Sequence, residues 1–303
     1  MEHLLKQNLL LQEKILNNLS EEPYFICKDH TVSQKQFELR YNSELDMMVT
    51  FPAPEVSELP EFYKSEAYIS HTDSKKSVFD KIYQGVKRHM LNRKLRWIEK
   101  EKVQPGRILD IGAGTGDFLA RAEKKGWEIS GVEPSAGARE LASKKGILLA
   151  DNSEGFPSDS FDVITLWHVL EHVPNLEKQI QELDRLLKKD GILIVAVPNF
   201  KSFDAYKYKN EWAGFDVPRH LWHFSRNSIE RIFTEFSFEL VKVEPLKFDS
   251  YYVSLLSENN SGKNPFGFVK GLFNGLLSNS IARKTKEYSS VVYFLQKSSE
   301  NRK

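Results

Sequence analysis

The run Asp110-Ile111-Gly112-Ala113-Gly114-Thr115-Gly116 carries the clearest chemistry in this 303-residue chain. Close-set glycines let a backbone approach a ligand without Cβ clashes and reach dihedral angles closed to other residues. Glu133 follows 21 positions after Gly112, and a carboxylate there suits the two hydroxyls of a ribose. Two nucleoside cofactors share this layout. A dinucleotide asks for Gly-x-Gly-x-x-Gly and a bare helix N-terminus facing its pyrophosphate. The third glycine position is Asp117 here, and its negative charge opposes a pyrophosphate. S-adenosylmethionine has no phosphate, and its sulfonium and ammonium favour nearby carboxylates. That cofactor is the expected ligand.

Histidines form the next group. His168-Val169-Leu170-Glu171-His172 matches H-x-x-E-H, a zinc pattern that needs one continuous helix to put both imidazoles on one face. Pro174 follows two residues later and His168 falls where a strand should end, so no such helix fits. His172 is a candidate catalytic base, against a structural hydrogen bond. The run Asp216-Val217-Pro218-Arg219-His220-Leu221-Trp222-His223-Phe224-Ser225 packs two imidazoles, a guanidinium and aromatics into one segment, before a helix that Ser225 can cap. Either His220 or His223 takes a proton from an attacking hydroxyl, or both are loop hydrogen-bonders. Arg219 is a candidate substrate contact, by bidentate pairing with an acidic acceptor. Cys27-x-x-His30 is half a zinc ribbon; Tyr41 and Glu44 stand where its other ligands would be needed. Two ligands do not make a structural zinc site, and no metal is expected. Tyr68 and His71 lie in a tract of hydrogen-bonding side chains expected to fold over the cofactor and touch substrate.

The elements that must position these groups follow an α/β rhythm. Apolar runs at 107–112, 128–133, 146–151, 161–167 and 191–198 alternate with helical patterns near 117–125, 135–144 and 175–188. That alternation predicts a mostly parallel, Rossmann-like sheet with helices on both faces. A helix is expected over 225–236, a strand over 238–245 and an antiparallel last strand over 290–297. Residues 1–73 read as an N-terminal accessory region, a helix followed by a degenerate ribbon-like segment. Residues 74–303 read as the main domain, with inserts at 199–224 and 247–288. A glycine-spaced helix near 265–284 serves as a lid, a dimer contact or a cover for an apolar acceptor.

Composition limits the alternatives. A chain 40% hydrophobic and 28% charged suits a globular protein, and a formal net charge of +1 supplies no field to draw it onto nucleic acid. Cys27 is the only cysteine, so no intramolecular disulfide forms and the cytoplasm is the expected compartment. The leucines at 9–11 are interrupted by Gln12, Glu13 and Lys14, too polar a run for a signal or transmembrane segment.

The chain resembles the class I S-adenosylmethionine-dependent methyltransferases, in particular the small-molecule branch similar to ubiquinone-type O-methyltransferases. The resemblance covers about residues 75–245. It rests on ILDIGAGTG, on VEPS at 132–135, on FPSDSFDVITLWHVLEHVPN at 156–175 and on LLKKDGILIVAVPN at 186–199. It implies that Asp110, Gly112, Ala113 and Gly114 surround the methionine part of the cofactor, with Glu133 and Pro134 at the ribose. Asp151 and Asn152 would flank the adenine, and Trp167 and His168 would end the fourth strand beside the cofactor. Asp151 also reads as a loop carboxylate or helix cap, and Trp167 as core. The implied reaction is methyl transfer to a small-molecule acceptor, most readily a hydroxyl. The alternatives are a catalytically silent cofactor-binding scaffold and methylation of a nucleic acid. The latter lacks Asn-Pro-Pro-Tyr or Asp-Pro-Pro-Tyr after the fourth strand. A homodimer is the one protein partnership left open.

Overall fold

The computed structural model describes residues 10–64, 78–102, 104–262 and 265–298. The chain begins with helix α1 (Leu10–Asn17) and strands β1 (Phe25–Lys28), β2 (Gln36–Asn42) and β3 (Met47–Phe51). Next come α2 (Val78–Glu101), β4 (Arg107–Ile111), α3 (Asp117–Glu123), β5 (Glu128–Val132), α4 (Ala136–Ser143) and β6 (Phe161–Trp167). Then follow α5 (Leu176–Leu186), β7 (Leu187–Pro198), α6 (Phe203–Tyr208), β8 (Trp222–His223) and α7 (Arg226–Glu235). The last elements are β9 (Phe238–Pro245), α8 (Asp249–Asn260), α9 (Gly267–Thr285) and β10 (Ser290–Lys297). Six strands pair in the order β5-β4-β6-β7-β10-β9, and four more in the order β1-β2-β3-β8.

The chain divides into two compact units. One, the glycine-loop unit, spans 66–167, 181–195 and 294–303; the other, the histidine unit, spans 1–65, 168–180 and 196–293. In the glycine-loop unit β4 pairs in parallel with β5 and with β6, Asp110 opposite Gly131 and Thr165. Ile108, Leu109, Val163, Ile164 and Leu166 are fully buried, the near-continuous apolar strands of a sheet covered on both faces. The expected strand at 146–151 is not formed. Ala150 makes an isolated bridge to Val132, while Leu148 is 85% exposed, so only the end of that run joins the sheet edge.

In the histidine unit the N-terminal residues make an antiparallel meander, Leu39 opposite Phe25 and Thr50. The two residues of β8 add to β3, Met48 opposite His223. The sheet packs over Cys27, Leu39, Met48, Tyr208, Trp212 and Phe215. Cys27 is therefore a core thiol, pushed up to about 12 by burial, and His30 lies 3.1 Å from Glu211. Within the insert at 247–288 the structure holds two helices where the spacing predicts one.

Candidate functional site

The glycine loop leaves β4 and enters α3 through three left-handed residues, Gly112, Gly114 and Gly116, at φ 67°, 54° and 73°. A Cβ on Gly116 would come within 3.0 Å of Ile147, whereas one on Gly114 would meet nothing within 4 Å. Gly116 is thus needed for packing, and Gly114 borders open space of the kind a ligand fills. Ala113 donates to the Val132 carbonyl oxygen at 2.9 Å, which fastens the loop to the end of β5. Glu133 completes the fastening: its carboxylate accepts the Gly114 N–H at 2.8 Å and the Ser135 N–H at 2.9 Å. Both oxygens keep a further lone pair for ribose hydroxyls. Pro134 sits between these two anchors, and its carbonyl oxygen accepts from Arg139 at 2.7 Å.

Asp110 is buried at the end of β4 and accepts from Thr165 Oγ1 at 2.6 Å. Burial pushes its carboxyl up to about 7, Thr165 and Lys94 opposing the rise and Glu133 adding to it. A cation at this point would recover the ionised form. Trp167 packs edge-on to Phe118, and the Lys94 ammonium lies 4.2 Å from its ring centroid. Its indole N–H is buried with no partner among the described residues. Asn152 donates to Asp151 at 2.8 Å, and both are exposed just after Ala150, whose carbonyl oxygen accepts the Glu133 N–H at 2.9 Å. Carboxylates for a cationic ligand, open space at Gly114 and an unpaired indole donor fit S-adenosylmethionine. Asp117 does not oppose a phosphate as its bare charge predicts. Its carboxylate is held by Lys87 and Lys145, each at 2.7 Å, so little of its charge is left to oppose a phosphate. The preference against a dinucleotide rests instead on the buried Asp110, since a ribose-binding Glu133 serves both cofactors.

Histidines organise the other unit. His168 is left-handed at φ 58°, a conformation that costs a non-glycine residue energy and is kept by surrounding contacts. Its Nε2 lies 2.9 Å from Asp249 at the start of α8, and its Nδ1 3.3 Å from Glu171. Burial would lower its pKa, but the two carboxylates outweigh that and hold it up to about 10. His168 is a fixed imidazolium, where the resemblance implies a cofactor neighbour. Glu171 is the reciprocal case: burial favours its neutral form, and His168 more than offsets this, holding it below the usual range.

Leu170–His172 is a short 3-10 turn, so H-x-x-E-H lies on no continuous helix, as the spacing of Pro174 predicts. His172 Nδ1 is 3.0 Å from the Arg219 carbonyl oxygen and 3.0 Å from the Tyr63 hydroxyl. Burial and the neighbouring His220 push it down to about 4, against Glu171 and Asp216. It is a neutral imidazole at physiological pH. The His172 and His220 rings meet edge to face with centroids 4.5 Å apart.

Two expected roles change. Arg219 is 1% exposed, and its guanidinium is spent on Asp216 at 2.6 and 3.0 Å, on Asp29 at 3.1 Å and on the Phe62 carbonyl oxygen at 3.0 Å. It clamps three segments together instead of waiting for an acidic acceptor. His223 is buried, with Nε2 2.9 Å from Thr50 Oγ1. Thr50 itself donates to the His220 carbonyl oxygen at 2.6 Å, so the His223 ring must donate to Thr50. Burial keeps it neutral, well below the usual histidine range, and its ring packs on Phe215. That is a packing role, not a base. Tyr68 and His71 lie outside the described residues. Sequence reasoning missed Asp249, whose partner is 81 positions away and which no local pattern marks.

A parallel sheet whose first strand ends in the glycine loop, with acids closing the first two strands, defines a Rossmann-like nucleoside-binding fold whose cofactor is S-adenosylmethionine. The chain belongs to the methyltransferase-domain family, whose model matches residues 81–243. It is similar to the ubiquinone biosynthesis O-methyltransferase of Actinobacillus pleuropneumoniae, 32% identical over 114 residues, 33% of this chain and 48% of that protein. The chain thus spans about half the length of that relative. It is also 25% identical over 239 residues to an uncharacterized protein of Methanocaldococcus jannaschii, covering 75% of this chain and 92% of that one. Among solved structures, geranyl diphosphate C-methyltransferase from Streptomyces coelicolor shares the fold at a TM-score of 0.52 and 14% identity, over 76% of this chain and 84% of that one. Among the described residues no helix is long and apolar enough to cross a membrane.

Proposed function

We propose that the protein transfers the methyl group of S-adenosylmethionine to a hydroxyl of a small molecule, activated by the His172–His220 pair. The observation that carries this reading is the anchoring of His172, whose Nδ1 lies 3.0 Å from the Arg219 carbonyl oxygen, a group that only accepts, so that Nε2 is the ring atom left to take a proton. A hydroxyl attacking a sulfonium methyl must lose its proton, and a histidine can accept it only as the neutral imidazole. His172 is neutral, with Nδ1–H directed to the Arg219 carbonyl oxygen and an Nε2 lone pair left over. His220 is anchored through the same ring atom, its Nδ1 lying 2.9 Å from the Gly214 carbonyl oxygen. Asp110, Glu133 and the glycine loop bind and orient the cofactor, which supplies the activated methyl. In the transfer the O–H bond breaks as the O–CH3 bond forms, and the S–CH3 bond breaks to leave a neutral thioether. The proteins' shared work in such a displacement is positioning and exclusion of water.

The test is to incubate the protein with methyl-labelled S-adenosylmethionine and a fractionated cell extract, then to identify the labelled product. A labelled methyl ether supports the reading. Label on nitrogen or carbon refutes the hydroxyl, and cofactor binding without label in any fraction refutes the enzyme.

A further inference from the structure

Glu171, His172 and His220 each bring one ligating atom to within 4.8 Å of the others. Their remaining atoms are committed elsewhere. Both Nδ1 atoms face backbone carbonyl oxygens, which only accept, so each ring directs an Nδ1–H there and Nε2 is the atom left to ligate. Glu171 Oε1 faces His168, and Oε2 is buried without a partner among the described residues. Leu221 N–H donates to the Glu171 carbonyl oxygen at 2.8 Å, which ties the two segments together. Imidazoles anchored through Nδ1 beside a carboxylate are the arrangement in which histidines ligate metals.

We propose that Glu171 Oε2, His172 Nε2 and His220 Nε2 bind a divalent transition-metal ion of the zinc class. Ligand atoms around such an ion stand about 2.0–2.2 Å from it, so side-chain rotation would draw these three somewhat closer than the present limit. Two imidazoles with one carboxylate suit zinc or cobalt better than magnesium or calcium, which prefer all-oxygen sets. The proposal reverses the expectation that the chain needs no metal. H-x-x-E-H lies on no continuous helix and His168 is turned to Asp249, so the second imidazole comes from His220 instead. The ion's use rests on the methyl-transfer reading: with the ion bound, His172 Nε2 is a ligand and not the base, and the ion as a Lewis acid would ease loss of the acceptor's proton to solvent, so the base role of His172 belongs to the metal-free site.

Titration of the metal-stripped full chain with Co2+, followed by visible d–d absorption, tests this without any turnover. One Co2+ per chain is expected, displaceable by Zn2+. Glu171→Gln and His220→Asn should weaken binding by more than about 100-fold, beyond the 10–100-fold typical of outer partners. His220→Asn keeps a donor for the Gly214 carbonyl oxygen, and unchanged binding of S-adenosylhomocysteine would show that both variants are folded. Wild-type protein that binds S-adenosylhomocysteine but no Co2+, or variants that bind Co2+ like wild type, overturn the site. Tight Co2+ binding without methylation of any acceptor would leave the site standing and sink the function.

A separate observation concerns α8 and α9. Gly267, Gly271 and Gly275 recur every four residues of α9, and a Cβ on Gly275 would lie 2.7 Å from the Tyr251 Cα. The facing residues of α8, Ser250, Ser254 and Ser257, are buried. The seam is built of small residues, while Phe266, Phe268, Val269, Leu272, Phe273 and Leu276 are 38–73% exposed. Helix pairs in water bury their large apolar residues; close seams of small residues with apolar faces outward belong to helices in lipid. From Asn259 to Lys286 the sequence has five basic residues and no Asp or Glu, a match for anionic headgroups.

We infer that the hairpin lays this face onto an anionic lipid surface. The full chain should sediment with vesicles containing phosphatidylglycerol and much less with phosphatidylcholine alone. Phe268→Ser with Phe273→Ser should lower the bound fraction at least tenfold, with binding of S-adenosylhomocysteine unchanged. A chain that stays in the supernatant with both vesicles overturns the inference. So does a dimer in solution that the same double variant abolishes.

Discussion

The two polar centres of this molecule are built in opposite ways. The glycine loop draws Asp110, Gly112, Gly114 and Glu133 from one strand-loop-helix-strand stretch, where Ala113 and Gly114 bond to Val132 and Glu133 only 19 positions on, while Asp110 reaches farther, to Thr165. The histidine centre draws on residue 29, on 50 and 63, on 168–172, on 216–223 and on 249. The first is a local device whose chemistry is set by backbone angles. The second is a network of charges, in which each group's protonation is set by distant partners. His168 is a cation and His172 is neutral although they stand only four positions apart.

That difference predicts where substitutions do harm. The largest effect is expected at Arg219. Breaking a buried ion pair by removing one partner costs about 3–5 kcal/mol, and Arg219→Ala would strand both Asp29 and Asp216. Thermal unfolding should show a loss of that order, and Arg219→Lys should recover little, since a single ammonium cannot replace the planar fork. Wild-type stability in Arg219→Ala would mean the network carries no load.

Next come the imidazoles. His172→Ala should lower turnover by about 10²–10⁴-fold, while calorimetry finds S-adenosylhomocysteine affinity unchanged. His223→Ala should instead lower the melting temperature and spare turnover per folded molecule, because His223 is spent on Thr50. The reverse outcome would exchange their roles. At the glycine loop, Glu133→Ala removes an acceptor for Gly114 N–H, Ser135 N–H and the ribose. Cofactor affinity should fall by about 1.5–3 kcal/mol, with turnover at saturating cofactor little changed. Unaltered affinity would place the ribose elsewhere.

The contrast also explains what could be read from the sequence. Contiguous motifs announced the loop, and β6, β9 and β10 begin and end where the apolar runs do. The 146–151 run misled because hydrophobicity alone does not distinguish a strand from a segment that touches the sheet at Ala150 only. Helix α8 was illegible for another reason: its buried residues include serines set against the glycines of α9, while its apolar residues are mostly half-buried, so apolar periodicity marks no single face. The roles of Arg219 and His223 depended on Asp29 and Thr50, more than 170 residues away. No local spacing encodes such a pairing.

The smallest expected effect is the most diagnostic for the glycine-loop side of the comparison, because two signs must come out opposite. Asp110 is held up to about 7, chiefly by burial, against about 3.9 for an unfolded chain. Between those values the folded protein keeps a proton that the unfolded chain has lost. The group's contribution to stability is therefore fully present below about 4 and is lost as pH rises through about 7. A cationic ligand beside Asp110 favours the ionised form, so cofactor affinity should move the other way. It should rise by up to about tenfold from pH 6 to 7.5, since one unit below the pKa only about a tenth of the carboxyl is ionised. Asp110→Asn has no proton to lose and should give a flat affinity profile, weaker than the wild-type plateau. That variant also separates the protein's titration from that of the ligand's own amine. A wild-type profile as flat as the variant's would mean that Asp110 faces no cation, and that the loop binds its nucleoside through Glu133 and backbone alone.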